Sequence, residues 1–466
     1  MQRNDIVKTI FTILPLTVLC TLYGLWLVVE PPEHVESVLV AGVALLLFVL
    51  LYVRAVPRLF EYALDGDREQ ATTAVHRTGI LGGREVLRLL LVLVIARGIY
   101  MVGAFVWSLY LNGYSETILD IQHIWADHLF APRFISIANN GYRTEVPGYP
   151  GAYINLLFPP LYSLIIRFIS PFYLSSIRAG FFVANLNYLL SGIVLYALVL
   201  MDQDRRSAVR CLWFYVILPP SFLLGCTISA STFLLLSLLC MYCARRKWFV
   251  PAAGFGFLAA ITERTGLLLV VPVLMEFLRS MTIEYRSLKA VSWQFYVKKS
   301  LQGSALILIP LGFLLYLLIN RNATGNFFAY AEYLKAYFSS QQALFYRVAA
   351  AVCERSFQSH LLQDTQTLLG ICIPNLIALF AAFEMLLLTY KQLRASYLCY
   401  GILMVAVIYS QTGILDGPRQ LFCCFPLLIA LTAVARNHWI NLLLSLLCIA
   451  GSIAYLGMYV AGWPVV

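Results

Sequence analysis

Residues 89–111 read LLLVLVIARGIYMVGAFVWSLYL, an apolar run that decides the fold class because its one charged side chain is Arg97. An α-helix rises about 1.5 Å per residue, so a run of this length crosses the roughly 30 Å hydrocarbon core of a bilayer. Similar runs recur from end to end. We predict thirteen spans, near residues 9–29, 37–54, 89–111, 177–201, 209–226, 231–244, 247–262, 265–280, 301–320, 368–390, 396–413, 419–435 and 438–461.

The composition points to the same class of protein. Hydrophobic residues make up 61% of the 466 residues and charged residues 12%, which leaves too little polar surface to cover a soluble body of this size. We therefore expect an all-α, polytopic transmembrane helical bundle in contact with membrane lipids. Two additional N-terminal spans and a basic cytoplasmic connector are expected in 1–88, the main body in 89–435, and a C-terminal span in 436–466.

The basic residues predict the orientation, because Lys and Arg concentrate on the cytoplasmic side of a membrane. With a cytoplasmic N-terminus, 22 of the 33 Lys and Arg residues fall on inner segments. This orientation holds only if residues 153–170, which contain the pair Pro159-Pro160, do not cross the membrane. We therefore predict that they form an outer interfacial or re-entrant helix. The long outer segments are then 112–176 and 321–367. The net charge of +10 indicates topology and attraction to anionic lipid, and predicts no nucleic-acid partner.

The outer segment 112–176 carries groups that suit sugar transfer from a lipid phosphate, which requires a base and a counter-charge for the leaving phosphate. Asp127 supplies a carboxylate, although it could equally cap an interfacial helix. Arg133 and Arg143 could bind phosphate or anchor the loop to lipid headgroups. Arg264 and Arg419 stand at the outer ends of predicted spans, where an unpaired guanidinium is costly and normally has a purpose.

Several short motifs, in the same order and with similar spacing, resemble the PIG-V type of mannosyltransferases. These are integral membrane enzymes that include the second mannosyltransferase of GPI-anchor synthesis and bacterial relatives. The resemblance covers about residues 89–435. Its matching stretches are FISIANNGY (134–142), FPPLY (158–162), LPPSF (218–222), AAITERTG (259–266), TGNFFAY (324–330), PR (418–419) and FP (425–426).

The resemblance implies a GT-C fold and transfer of a hexose, with mannose as the first candidate, from a polyprenyl-phosphate donor. The acceptor would be a lipid or glycan, and the reaction would be inverting. The active site would face the outside of the plasma membrane in a bacterium, or the lumen of the endoplasmic reticulum in a eukaryote. The sequence has no metal-type spacing of Cys or His and no paired acidic motif, so we expect no cofactor and no metal.

Each candidate residue receives a predicted role in this reaction. The catalytic base is predicted to be Asp127, with Asp120 and Glu263 as alternatives. The remaining candidates are the donor phosphate-binding residues Arg419, Arg264 and Arg133, and the substrate-loop residues His128, Tyr142, Arg143 and Phe158.

Two other classes of function stay open. Leu129 and Phe130 stand where the family has a Trp-Asp pair, and Ile228 and Ala230 stand where it has Tyr and Glu. These departures favour a non-catalytic relative that binds lipid-linked glycan or scaffolds a partner enzyme. The third class is a transporter of lipid or oligosaccharide, which the absence of an internal sequence repeat disfavours.

Overall fold

Helices form almost all of the part of the chain that the computed structural model describes, which is residues 2–64, 81–112, 121–126, 130–142, 154–287, 293–338 and 340–465. Within these residues there is no β-strand, only an isolated antiparallel bridge between Gln342 and Gln411. The predicted all-α class is confirmed.

In chain order the α-helices are α1 (Gln2–Val29), α2 (Val35–Leu64), α3 (Gly83–Asn112), α4 (Ile121–Ile124), α5 (Ala131–Asn140), α6 (Leu161–Tyr173), α7 (Ser176–Asp202), α8 (Arg205–Ile217), α9 (Ala230–Arg245), α10 (Phe249–Thr262), α11 (Val270–Ser287), α12 (Trp293–Ala305), α13 (Leu308–Thr324), α14 (Ala329–Phe338), α15 (Phe345–Leu361), α16 (Thr365–Thr367), α17 (Ile373–Thr389), α18 (Ala395–Ile408), α19 (Gly417–Phe422), α20 (Phe425–Val434) and α21 (His438–Val460). Tighter 3-10 helices lie at Ile154–Leu157, Pro219–Gly225 and Arg264–Leu269, and a π-helical turn at Leu368–Cys372.

Eight helical stretches in the described residues are long and apolar enough to cross a bilayer, and the chain is a multi-pass membrane protein. They are Thr9–Val29, Val35–Tyr62, Gly83–Leu111, Ser176–Asp202, Arg264–Arg286, Trp293–Thr324, Thr365–Thr389 and His438–Val460. Helix α8 and the 3-10 helix after it make a ninth if they are counted together, although they bend by 75°. The bend falls at Pro219 and Pro220, which have no backbone N–H to continue a helix.

The four other predicted spans correspond to the shorter helices α9, α10, α18 and α20. At about 1.5 Å per residue, none of them covers the roughly 30 Å core of a bilayer alone. Helix α9 packs against α7 and α10, and its side chains are buried on every face. A helix that is apolar all round belongs in an interior, so protein rather than lipid surrounds α9. Helix α6, in the region predicted not to cross, has 13 residues and is also short.

The first and last helices pack on the outside of this interior. Helix α2 lies along α15 and α17, and the ring of Tyr346 in α15 contacts Tyr23 and Trp26 of α1 at centroid distances of 5.2 and 5.5 Å. Helix α21 lies against α3 and the 3-10 helix Pro219–Gly225. Most of the exposed side chains of α1 are apolar, as expected for a helix that faces lipid.

Four charged side chains form a buried ion-pair cluster that joins the ends of several helices. Arg394 donates from Nε and Nη2 to the two carboxylate oxygens of Glu276, at 2.6 and 2.9 Å. Arg245 Nη1 donates to Asp202 Oδ2 at 2.7 Å. Asp202, Arg245 and Arg394 belong to segments predicted to be cytoplasmic. The cluster therefore links α7, α9, α11 and α18 at the end of the molecule opposite the predicted outer loops.

Candidate functional site

A cavity of about 390 Å³ lies where several predicted outer segments meet, and we call it the charged cavity. Its walls come from the loop around α5, the turn after α10, helices α13 and α14, and the segment from α18 to α19. Its polar lining consists of Ser229, Glu263, Arg264, Thr265, Tyr330, Gln342, Ser410, Gln411, Asp416, Arg419 and Gln420. Residues far apart in the sequence thus bring two acidic and two basic side chains to one place.

Asp416 and Arg419 form an ion pair on the wall of the charged cavity. Arg419 Nη2 donates to Asp416 Oδ2, and Gln420 Nε2 donates to Asp416 Oδ1 at 2.7 Å. The two charged side chains are 13% and 8% exposed, so the pair is largely removed from water. Arg419 Nε is buried and has no hydrogen-bond partner among the described residues. One edge of this guanidinium is therefore only half satisfied.

Arg264 is the second cation of the charged cavity. Its guanidinium carbon lies 5.2 Å from the centroid of the Tyr330 ring, a cation–π distance. In the part of the chain that is described, its Nη1 atom is buried without a hydrogen-bond partner. Leaving a buried charged donor unpaired is costly. Two such donors on one cavity are available to an anionic ligand.

Glu263 contributes a carboxyl of a different character from that of Asp416. It is the first residue after α10 and immediately precedes Arg264, and Ser229 Oγ donates a hydrogen bond to its Oε1. Burial raises the pKa of the Glu263 carboxyl, although the nearby Arg419 guanidinium opposes this shift. The protonated, neutral form of Glu263 is thereby favoured relative to an exposed glutamate.

The backbone around Gly417 holds Asp416 and Arg419 in place. Asn375 of α17 accepts a hydrogen bond from the N–H of Gly417 at 3.1 Å and donates to the carbonyl of Leu415 at 3.2 Å. A Cβ atom on Gly417 would lie 2.3 Å from Asn375 Oδ1. A side chain on residue 417 would prevent this approach, so the position requires glycine. The two hydrogen bonds of Asn375 fix the segment that carries Asp416 and Arg419 to α17.

A close approach also fixes the turn that carries Glu263 and Arg264. The N–H of Gly266 donates to the carbonyl of Glu263 at 2.9 Å. A Cβ atom on Gly266 would lie 2.4 Å from the backbone carbonyl of Ala259. The missing side chain lets the turn fold back onto α10, which directs both charged residues toward the cavity.

The remaining side chains that line the charged cavity are apolar. They are Phe130, Phe134, Leu157, Phe158, Pro159, Leu267, Leu268, Phe313, Leu334, Val407, Ile408, Ile414 and Leu415. Polar and apolar walls in one cavity suit an amphiphile with an anionic head and a hydrocarbon chain.

The start of the outer loop is anchored deep in the protein through Trp125. Its side chain is fully buried and stacks on Tyr459 at a centroid distance of 5.8 Å. Its carbonyl accepts a hydrogen bond from the N–H of Thr227 at 3.0 Å. The guanidinium carbon of Arg97 lies 4.4 Å from the Trp125 ring, and Arg97 Nη1 donates to the carbonyl of Phe222 at 3.1 Å. This arginine ties the loop to the 3-10 helix Pro219–Gly225.

The structure brings together four of the sequence-predicted site residues. Glu263, Arg264, Arg419 and Phe158 all line the charged cavity. Tyr142 supports the wall from behind, because its hydroxyl donates to the carbonyl of Phe158 at 2.7 Å. Five of the predicted residues therefore lie in or directly behind the wall of one cavity.

Other predicted residues fall elsewhere. Arg133 is exposed on α5 and is not part of the lining of the charged cavity, so its guanidinium is not placed beside Arg264 and Arg419. The predicted base Asp127, its alternative Asp120, and the loop residues His128 and Arg143 lie outside the described residues.

Sequence reasoning missed Asp416, Gln420 and Ser229. Asp416 is separated from the matched Pro418-Arg419 motif only by Gly417, and an acidic residue three positions before a site arginine was an available signal. Ser229 gave no such signal, since its contact with Glu263 depends on the packing of α9 against α10. Among the described residues, no group of three or more His, Cys, Asp and Glu side chains could hold a metal ion.

No protein-family model matches the chain, and no curated protein sequence matches it. Two of the solved structures that are similar to this chain come from Cupriavidus metallidurans and Archaeoglobus fulgidus. One is ArnT from Cupriavidus metallidurans in the apo state, which is 11% identical over 74% of this chain and 74% of that chain, with a TM-score of 0.39. The other is an Archaeoglobus fulgidus oligosaccharyltransferase tethered with an acceptor peptide containing the NVT sequon. It is 14% identical over 79% of this chain and 55% of that chain, with a TM-score of 0.37.

Proposed function

We propose that this chain is a GT-C type membrane glycosyltransferase, similar to the PIG-V mannosyltransferases. It transfers a hexose, with mannose as the first candidate, from a polyprenyl-phosphate donor to a hydroxyl group of a lipid or glycan acceptor. The reaction takes place in the charged cavity, at the outer or lumenal membrane face. One observation carries the proposal: Arg264 and Arg419 both line this cavity, and each has a buried guanidinium nitrogen without a hydrogen-bond partner in the described residues.

The donor phosphate would bind to Arg264 and Arg419 in the charged cavity. Guanidinium groups bind phosphate through paired N–H donors, which an ammonium group cannot reproduce. The apolar wall would receive the first isoprene units of the lipid, and the Tyr330 ring beneath Arg264 keeps that guanidinium in position. Each part of the cavity therefore matches one part of the donor.

The transfer is a single displacement at the anomeric carbon. The acceptor oxygen bonds to this carbon while the bond between the carbon and the phosphate oxygen breaks, and the bonding electrons leave with the phosphate. Arg264 and Arg419 stabilise the charge as it develops, in a site partly shielded from water, where such contacts act most strongly. The configuration of the sugar inverts, and one base is needed to take the acceptor proton.

Asp127 is the base that we propose, with Asp120 as the alternative. Asp127 lies two residues beyond Trp125, whose burial fixes the start of the loop. Glu263 is the second alternative: it lines the charged cavity, and burial raises the pKa of its carboxyl, which strengthens the carboxylate as a base. Asp416 is engaged by Arg419 and Gln420.

A second candidate function is binding of a lipid-linked glycan without bond breakage. Ile228 and Ala230 stand where the PIG-V family has Tyr and Glu, and both are buried apolar side chains here, with 1% and 2% exposure. A protein that had lost catalytic groups would keep the phosphate-binding arginines and would still bind the donor.

The direct test uses the purified chain in lipid nanodiscs with polyprenyl-phosphate mannose labelled in its sugar, and a membrane lipid extract as the source of acceptor. We expect the label to move to a new product while free polyprenyl phosphate appears in equal amount. Binding of the donor with full retention of its label would support the binding protein. A chain that does not bind the donor would contradict both candidates.

A further inference from the structure

The carboxylate of Asp416 accepts a hydrogen bond from Arg419 Nη2, while Nε of the same guanidinium has no partner in the described residues. A protein carboxylate therefore already lies where a phosphate would bind. We propose that Asp416 is an internal competitor of the lipid phosphate: it pairs with Arg419 in the empty site, yields to the donor, and returns to expel the lipid phosphate product. This inference rests on the proposed function and names the residue that governs product release.

The atoms that Asp416 uses make the competition direct. Asp416 is held by Nη2 of Arg419, while the adjacent Nε is buried and has no partner in the described part of the chain. Nε and Nη2 form one edge of a guanidinium, and Arg394 uses this edge to bind both oxygens of Glu276 at 2.6 and 2.9 Å. A phosphate that took the same fork on Arg419 would need the Nη2 donor that Asp416 occupies.

Asp416 is held in a way that permits the exchange. It stands at the residue before α19, yet its side chain makes no capping hydrogen bond to the backbone of that helix. The hydrogen bonds described for its carboxylate come from the side chains of Arg419 and Gln420. The backbone on either side is fixed through Asn375, which binds Gly417 and Leu415. The carboxylate can therefore turn away without moving the segment that carries Arg419.

Repulsion from Asp416 acts more strongly on the product than on the donor. Arg264 and Arg419 supply two positive charges to the charged cavity, and Asp416 places a negative charge beside Arg419. A sugar phosphodiester carries one negative charge. The product is a phosphate monoester with roughly −1.5 to −2 at neutral pH. Because it carries more negative charge near Asp416, the carboxylate opposes its retention.

The experiment measures binding of polyprenyl phosphate without a sugar to the chain in nanodiscs, alongside turnover of the labelled donor. Asp416→Asn should bind polyprenyl phosphate more tightly by about tenfold, as expected when one partly screened like charge is removed from beside a phosphate. Its turnover should fall, and the inhibition constant for added polyprenyl phosphate should fall with it. A residue with a merely structural role would weaken binding when replaced.

Two variants serve as controls. Asp364→Asn removes an exposed carboxylate that caps α16 outside the charged cavity, and Asn is also a good capping residue, so affinity should not change. Asp416→Glu retains the negative charge. Its affinity for polyprenyl phosphate should remain within about twofold of the wild-type affinity, whereas Asp416→Asn should change it by about tenfold. If Asp416→Asn does not fold, Asp416→Ser carries the same expectation.

Unchanged or weaker binding of polyprenyl phosphate in the neutral Asp416 variants would overturn the inference even if the wild type transfers sugar. Tighter binding together with no sugar transfer by the wild type would support the competition and contradict the proposed function. The two claims therefore fail separately.

Discussion

The backbone N–H of Gly417 donates to Asn375 Oδ1 at 3.1 Å, a contact that ties the segment of Asp416 and Arg419 to α17. The hydroxyl of Tyr409 donates to the carbonyl of the same asparagine at 2.7 Å, so α18 is joined at this point as well. The positions of Asp416 and Arg419 on the wall of the charged cavity thus depend on one buried asparagine and one glycine that approaches it closely.

Gly417→Ala should lower both the stability and the affinity for lipid phosphate. The added Cβ would lie 2.3 Å from Asn375 Oδ1 and 2.6 Å from the Tyr409 hydroxyl. Overpacking of this kind typically lowers the free energy of unfolding by about 1–3 kcal/mol. Thermal unfolding in detergent and binding of polyprenyl phosphate measure the two effects.

The matched control for this substitution is Gly254→Ala in α10. A Cβ atom there meets nothing within 4 Å, and alanine suits a helix better than glycine by about 0.5–1 kcal/mol. Equal loss of stability in both variants would show that the contact of Gly417 with Asn375 has no special role.

Glu263→Gln should alter the pH dependence of stability. Because burial raises the pKa of Glu263 in the folded chain, the folded state binds more protons than the unfolded state above the ordinary value of 4.5. Wild-type stability should therefore decrease as pH rises from there through the raised pKa, and then level off. Glutamine cannot lose a proton, so the variant should gain thermal stability relative to the wild type across that window. A difference that is constant with pH would contradict the shift.

Much of the fold was accessible from the sequence because a bilayer demands long apolar helices. The residues at 89–111 and 438–461 show this directly, since length and hydropathy alone place them. The short helices α9 and α18 were predicted as spans because a window of hydropathy does not distinguish a lipid-facing helix from one enclosed by protein. Their lengths of 16 and 14 residues and their extensive burial are properties of the tertiary packing.

The candidate site was accessible only in part. Arg264 and Arg419 could be chosen because a charged residue near membrane depth is costly. That they share a cavity depends on the tertiary fold, which brings the turn after α10 and helix α19 to the same cavity, and a local sequence pattern does not show this. Arg133 has the same chemistry on a nearby loop, yet α5 leaves it exposed. Asp416 was missed because its pairing with Arg419 requires the short helix α19, which begins with Gly417-Pro418.

Asp127→Asn should abolish sugar transfer while donor binding is largely retained. The amide has the size of the carboxylate and some of its capping ability, but it cannot accept a proton near neutral pH. General-base assistance contributes on the order of 100- to 10,000-fold, and single-turnover transfer should fall by a factor in that range. A variant that retains more than about a tenth of the wild-type rate would have lost less than general-base assistance contributes. Asp127 would then not be the base, and Asp120→Asn would be the next test.

The most direct test of the central claim is the rate of labelled sugar transfer from the polyprenyl-phosphate donor by Arg264→Gln and Arg419→Lys, with Arg133→Gln as the control. Loss of a preorganised contact to developing charge costs roughly 100- to 1,000-fold in rate. We expect losses in this range for Arg264→Gln. Arg419→Lys should also lose donor affinity, because an ammonium cannot grip two phosphate oxygens. Arg133→Gln, outside the charged cavity, should transfer at the wild-type rate. Full transfer by both cavity variants, or an equal loss in all three, would contradict a phosphate site between Arg264 and Arg419.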